Sequence, residues 1–117
     1  MTLNYKSIEE AYNLINTKII KTPLVSNDYI NNLLNAEIYF KLENLQSTGS
    51  FKLRGATHKI LKSLNDISEN GVVAYSSGNH AQAVAFSASQ NNLSAKIIMP
   101  KTAPQIKIEN TKNMEQR

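Results

Sequence analysis

The feature that most constrains the fold is a pair of short β-rich runs, GVVAYSS at residues 71–77 and AKIIMP at residues 95–100. Between them Ala81, Val84, Ala85 and Ala88 recur at helical spacing. Short runs of branched apolar residues bounded by turn signals read as buried strands, and recurrence every three or four residues reads as one face of a helix. Two strands joined through a helix cannot form a tight hairpin, so they lie parallel. The expectation is a right-handed βαβ arrangement of the α/β class, a parallel sheet with flanking helices.

Upstream, Ser7 and Glu10 have the spacing of a capping box. Ile8, Ala11, Tyr12, Ile15 and Ile19 then fall on one face, which predicts a helix to about Ile20. Thr22-Pro23-Leu24 stops it and continues extended. Asn27 or Asp28 can cap a short helix carrying Tyr29, Ile30, Leu33 and Leu34. In AEIYFKLE, Ile38, Phe40 and Leu42 alternate with Tyr39, Lys41 and Glu43, the pattern of a strand with one buried face and the first of three in the sheet. A loop at residues 44–49 leads to a helix with Leu53, Ala56, Ile60 and Leu64 on one side, Ser50 as its cap, and Asn70-Gly71 as the turn that closes the unit. From Ala103 onward Ile106, Ile108 and Met114 hardly form a stripe, and the closing MEQR carries no cap or terminating turn. A chain that ends within an element is the expectation.

Composition narrows the function classes. A chain of 117 residues, 41% hydrophobic and 19% charged, has globular rather than disordered character, and fits one domain or part of a larger protein. With no cysteine it has neither disulfides nor thiolate metal sites. No apolar run approaches the roughly 18 residues that span a bilayer, and residues 1–10 lack the apolar stretch of a signal peptide, so a soluble cytoplasmic protein without a membrane partner is expected. The net charge of +4 raises nucleic-acid binding. Its lysines, however, are scattered along the chain, as at Lys18 and Lys21, Lys59 and Lys62, and Lys96 and Lys101, with no aromatic platform between them; no nucleic-acid partner is expected.

Two loop-to-helix junctions carry the chemistry. Free N–H groups at a helix start bear positive partial charge, so the ammonium of Lys52 is disfavoured there relative to the neutral amine, and partial burial against Phe51 would act in the same sense. A neutral amine is the nucleophile that forms a Schiff base with an aldehyde. From spacing alone a solvated lysine on a helix face is the leading reading of Lys52. The second junction, Ser76-Ser77-Gly78-Asn79-His80, follows a strand and opens a helix, where backbone N–H groups and hydroxyls can bind an anion such as a carboxylate. From this feature alone an ordinary βα turn in which Asn79 is the cap is the leading reading. His80 has only His58 for company and no metal-spaced carboxylates, so no metal site is expected. The pattern of a serine nucleophile elbow is absent.

Taken together, LENLQSTGSFKLRGA and SSGNHAQAVA, with KTPL upstream and MPKTAPQIK downstream, resemble the amino-terminal part of fold-type II pyridoxal-phosphate enzymes of the threonine dehydratase and serine racemase branch. The resemblance covers nearly the whole chain in the family's order and spacing. Relatives such as threonine synthase and O-acetylserine sulfhydrylase usually place Asp after the lysine and Thr after Gly-Asn, where this chain has Leu53 and His80. Ala81 after His80 leans toward bacterial dehydratases rather than animal racemases.

The resemblance implies a cofactor, pyridoxal 5'-phosphate, held by Lys52 as a Schiff base, with Lys52 then serving as the base at the substrate Cα. It implies Phe51 packed near the pyridine ring and Asn79 bonded to the cofactor's 3-hydroxyl oxygen. Ser76, Ser77, Gly78, Asn79 and His80 would bind the carboxylate of threonine or serine, and Ser77 would be the acid or base on the opposite face of a racemase. The implied reaction is β-elimination to a 2-oxo acid and ammonia in amino-acid metabolism, isoleucine biosynthesis included, by a homodimer or homotetramer. By the same analogy residues 1–65 belong to the larger domain and residues 66–117 begin the smaller, both incomplete. The family's glycine-rich phosphate loop, its partner for the pyridine nitrogen and its cation site are not found in these 117 residues. A truncated and inactive portion of such an enzyme is therefore expected, with a non-catalytic interaction module as the alternative.

Overall fold

The computed structural model describes residues 3–67 and 70–115. Its first helix, α1 (Tyr5–Ile15), starts at Asn4, whose side chain accepts from the Ser7 N–H at 2.9 Å while the Ser7 hydroxyl lies 3.1 Å from the Asn4 N–H. The capping box is therefore Asn4 with Ser7, not Ser7 with Glu10, and it satisfies two first-turn donors reciprocally. The helix also ends at Ile15, short of Ile20, where turns replace it.

Strand β1 (Leu24–Ser26) leaves the Thr22-Pro23 stop, and α2 (Asp28–Leu34) follows, capped by Asn27. Asn35 closes α2 in the left-handed conformation at φ 46°, as asparagine tolerates. Strand β2 (Tyr39–Lys41) then pairs antiparallel with β1, Val25 opposite Phe40. This corrects two expectations. The strand does not join the parallel sheet, and it has no buried face, since every residue of β1 and β2 is exposed. Alternation in the sequence specifies two faces of a strand but neither its partner nor its cover.

A short 3-10 turn at Glu43–Leu45 leads to α3 (Lys52–Lys62). Then come β3 (Val72–Tyr75), α4 (Asn79–Ser89), β4 (Ala95–Ile98) and α5 (Gln105–Glu115). Strands β3 and β4 are parallel, Val72 opposite Ala95 and Tyr75 opposite Ile98, as the β-helix-β pattern requires. Gly71, just before β3, has φ 78°, and a Cβ there would lie 2.1 Å from the Ser94 carbonyl oxygen, so only glycine fits. The weakly periodic stretch beyond Ala103 nonetheless forms helix α5 over Gln105–Glu115. It packs on α4 although its apolar residues form no stripe, with Thr111 buried and its hydroxyl bonded back to the Lys107 carbonyl at 2.7 Å.

The core lies between α3 and α4 over the β3–β4 sheet. Leu53, Ala56, Ala83 and Val84 form its buried centre, with Ile19, Val72, Ala74, Phe86 and Ile97 packed around it. Ala81, Ala83, Ala85 and Ala88 are fully excluded from solvent, so α4 is enclosed by α3, α5 and both parallel strands. The radius of gyration is 16.6 Å, against about 13 Å for a compact domain of this length. The excess goes with wide apolar exposure, at Leu24, Tyr29, Leu33, Tyr39 and Val73 among others.

Candidate functional site

Lys52 is the first residue of α3 and Asn79 the first residue of α4. The two helix starts share a property that separates them from the amino-terminal pair. Side chains of Asn4 and Asn27 cap α1 and α2, whereas no side chain caps α3 or α4. Ser50 does not cap α3: the cap position is Phe51, and the Ser50 hydroxyl is buried without a partner among the described residues. Gly78, not Asn79, occupies the cap position of α4. First-turn N–H groups have no acceptor one turn back; in α3 the Arg54 N–H turns instead to the Phe51 carbonyl at 3.1 Å.

Both Lys52 and Phe51 are exposed, so the expected partial burial of the amine against the ring is absent. The Lys52 Nζ instead lies over the Phe51 ring, 5.1 Å from its centroid, within the range of a cation–π contact. Arg54 does not crowd Lys52. It turns to Glu43, donating from Nε at 2.9 Å and from Nη2 at 2.7 Å. Hydrogen bonding from Arg54 lowers the Glu43 carboxyl to about 2, against the upward push of burial and with help from the Thr22 hydroxyl. The same bond raises the Arg54 guanidinium.

Around this pair the chain is cross-braced. Gln46 accepts from the Ile20 N–H and donates to the Ile20 carbonyl, both at 2.9 Å, and Lys41 donates to the Thr22 carbonyl at 2.6 Å. The first turn of α3 is thereby tied to residues 20–23 and to the 3-10 turn. A bidentate arginine–carboxylate pair with low exposure on both sides is among the stronger polar contacts available.

At the second junction the Gly78 N–H donates to the Ser76 Oγ at 3.3 Å, while Ser77 is exposed. Apart from its chain neighbours, no atom of the described residues lies within 4 Å of the place a Cβ would take on Gly78, so the backbone there is open to approach. His80 lines a cavity of about 320 Å³ with Gly55, Lys59 and Val84, whereas His58 lines another, of about 500 Å³, with Ile8, Ala11 and Leu14. The junctions are linked through the core: Leu53, next to Lys52, and Ala83, one turn beyond Asn79, belong to one buried cluster.

Residues that sequence reasoning missed complete the picture. Glu43 and Gln46 lie inside LENLQ, but their partners are 11 and 26 residues away, a separation without local signature. Lys107, the last residue of MPKTAPQIK, donates from Nζ to the Asn79 Oδ1 at 2.8 Å.

Residues 15–117 match the family model described as pyridoxal-phosphate dependent enzyme. The chain is 48% identical over 110 residues to the biosynthetic L-threonine dehydratase IlvA of Lactococcus lactis, covering 94% of this chain and 26% of that protein. It is 42% identical over 107 residues to serine racemase of Dictyostelium discoideum, covering 92% of this chain and 33% of that one. The structure of maize serine racemase superposes with a TM-score of 0.90 at 37% identity, over 97% of this chain and 35% of that one. The chain thus spans about a quarter to a third of the length of these relatives.

Proposed function

Because the chain belongs to the pyridoxal-phosphate dependent enzyme family, we propose that it carries the lysine and carboxylate-binding portion of a threonine or serine ammonia-lyase. The observation that carries this reading is the pair of uncapped helix starts, α3 with the exposed amine of Lys52 and α4 with open backbone at Gly78. Their donor set fits the group. Lys52 offers a reachable amine for the cofactor's aldehyde, Phe51 an exposed ring beside it, and Asn79 an amide at the first turn of α4.

Pyridoxal phosphate, when bound, supplies the electron sink for charge that develops at the substrate Cα. The work of this chain's residues is to hold and orient. Lys52 would hold the cofactor through Nζ and, once released, take the Cα proton onto the same atom. The substrate carboxylate would lie against the N–H groups of Asn79 and His80 and the hydroxyls of Ser76 and Ser77, at the positive end of α4. Loss of the Cα proton and the β-hydroxyl, followed by hydrolysis, converts threonine to a 2-oxo acid and ammonia. The exposed Ser77 hydroxyl favours one second reading, a racemase in which it serves the face opposite Lys52. In this reading residues 1–65 form part of the larger domain and residues 66–117 begin the smaller.

The test is to mix the chain with pyridoxal phosphate, reduce with borohydride and map the modified lysine by mass spectrometry. Modification concentrated at Lys52 at low cofactor excess supports the reading. Labelling spread over the lysines in proportion to their exposure sinks it.

A further inference from the structure

Asn79 is exposed at the first residue of α4, and its side-chain oxygen accepts from Lys107 on α5 at 2.8 Å. The chemistry of the pair fixes which way the amide points. An ammonium offers only donors, and an asparagine amide has one accepting end and one donating end. Turning the amide over would set donor against donor, so the oxygen faces Lys107 and the NH2 group faces away from it. Lys107 itself is well placed to hold that direction. Its backbone N–H donates to the Pro104 carbonyl at 2.9 Å, and its carbonyl accepts from the buried Thr111 hydroxyl at 2.7 Å.

We propose that Lys107 is a positioning residue that keeps the Asn79 amide with its NH2 group free, so that Asn79 recognises only an acceptor on its ligand. The inference rests on the reading of Asn79 as a cofactor contact. There the acceptor is the ring 3-oxygen in its ionised form, and an amide already polarised by a cation at its oxygen is the stronger donor toward it. Asn79 selects for a charge state as well as a position, and it does so through a residue 28 positions away that need not touch the ligand.

The test compares the chain with Lys107→Ala and Lys107→Arg, by titration with pyridoxal phosphate and by the absorption of the bound cofactor, whose visible and near-ultraviolet bands report the ionised and protonated 3-oxygen. In Lys107→Ala, retention weakens roughly fivefold, the size of one net hydrogen bond, and intensity moves from the visible to the near-ultraviolet band. Lys107→Arg, which still donates, restores both. In the unliganded chain the side-chain amide resonance of Asn79 moves in the alanine variant and returns in the arginine variant. Lys52-dependent binding with an unchanged affinity and band ratio in Lys107→Ala overturns this inference alone. A lower melting temperature with the band ratio intact overturns it too, as it assigns Lys107 to α5 packing. A chain that binds no cofactor through Lys52 overturns the reading of the site and this inference with it.

Discussion

The β1–α2–β2 segment and helix α4 are held in opposite ways. From Leu24 to Lys41 no residue is buried, and the segment is fastened by polar contacts: the Ser26 hydroxyl to the Ile38 carbonyl at 2.8 Å, the Asn31 amide to Ser26 at 2.9 Å and to the Ile38 N–H at 3.0 Å. In α4 seven of eleven residues are buried, most of them alanine, so packing holds it. Apolar burial is non-directional and grows with area, whereas a hydrogen bond contributes little net but fixes geometry. The small helix supplies stability, and the polar bracing supplies placement.

That contrast can be broken most forcefully at Leu53, which is fully buried between α3 and α4. Leu53→Ala should cost about 3 kcal/mol, read as a lower denaturant midpoint; a loss under about 1 kcal/mol would show that the α3–α4 core is not where stability resides.

The Glu43–Arg54 pair stands between the two regimes, polar yet shielded. The Glu43 carboxyl is held at about 2 against an ordinary 4.5. Its folded value is depressed, so its contribution is complete above pH 4.5 and is lost as the pH falls toward 2. It is on the order of 2 kcal/mol. Stability measured across that window should fall more steeply in the wild-type chain than in Glu43→Gln. Parallel curves would mean the carboxylate is not strongly held.

The smallest effect is expected in the exposed segment. Asn31→Ala should lose about 1 kcal/mol and open the β1–β2 amides to hydrogen exchange, while the amides of α4 keep their protection. Loss of protection in both places would unite the two regions into one cooperative unit and remove the distinction.

How much was legible follows the same division. Leu53, Ala56 and Ile60, and Ala81, Val84, Ala85 and Ala88, could be read because burial imposes a period on the sequence, and all seven are buried; Leu64, read on the same face as the first three, lies beyond the end of α3 and is exposed. The parallel pairing of β3 and β4 followed from the intervening helix. Phe40 could not be placed, since an alternating run is compatible with any partner strand. Helix α5 escaped because Thr111 and Lys107, rather than an apolar stripe, engage its surroundings. In the candidate site, Lys52 and the residues 76–80 were legible as helix starts, while the ties to Glu43, Gln46 and Lys107 were not. Contacts between side chains far apart in the chain leave no periodic trace.

Gly71 has a reach beyond its own turn. The observed offset of the two parallel strands, Val72 beside Ala95, brings the Ser94 carbonyl so close to residue 71 that a Cβ there would lie 2.1 Å from its oxygen. Slippage by a single residue would exchange the inward Val72 and Ala74 for Val73 and Tyr75, turning an aromatic ring toward a helix face built of alanines. The glycine thus works as an index mark: this register admits nothing bulkier than hydrogen at position 71, and the register in turn fixes the height at which Ser76 to Asn79 emerge above the strands.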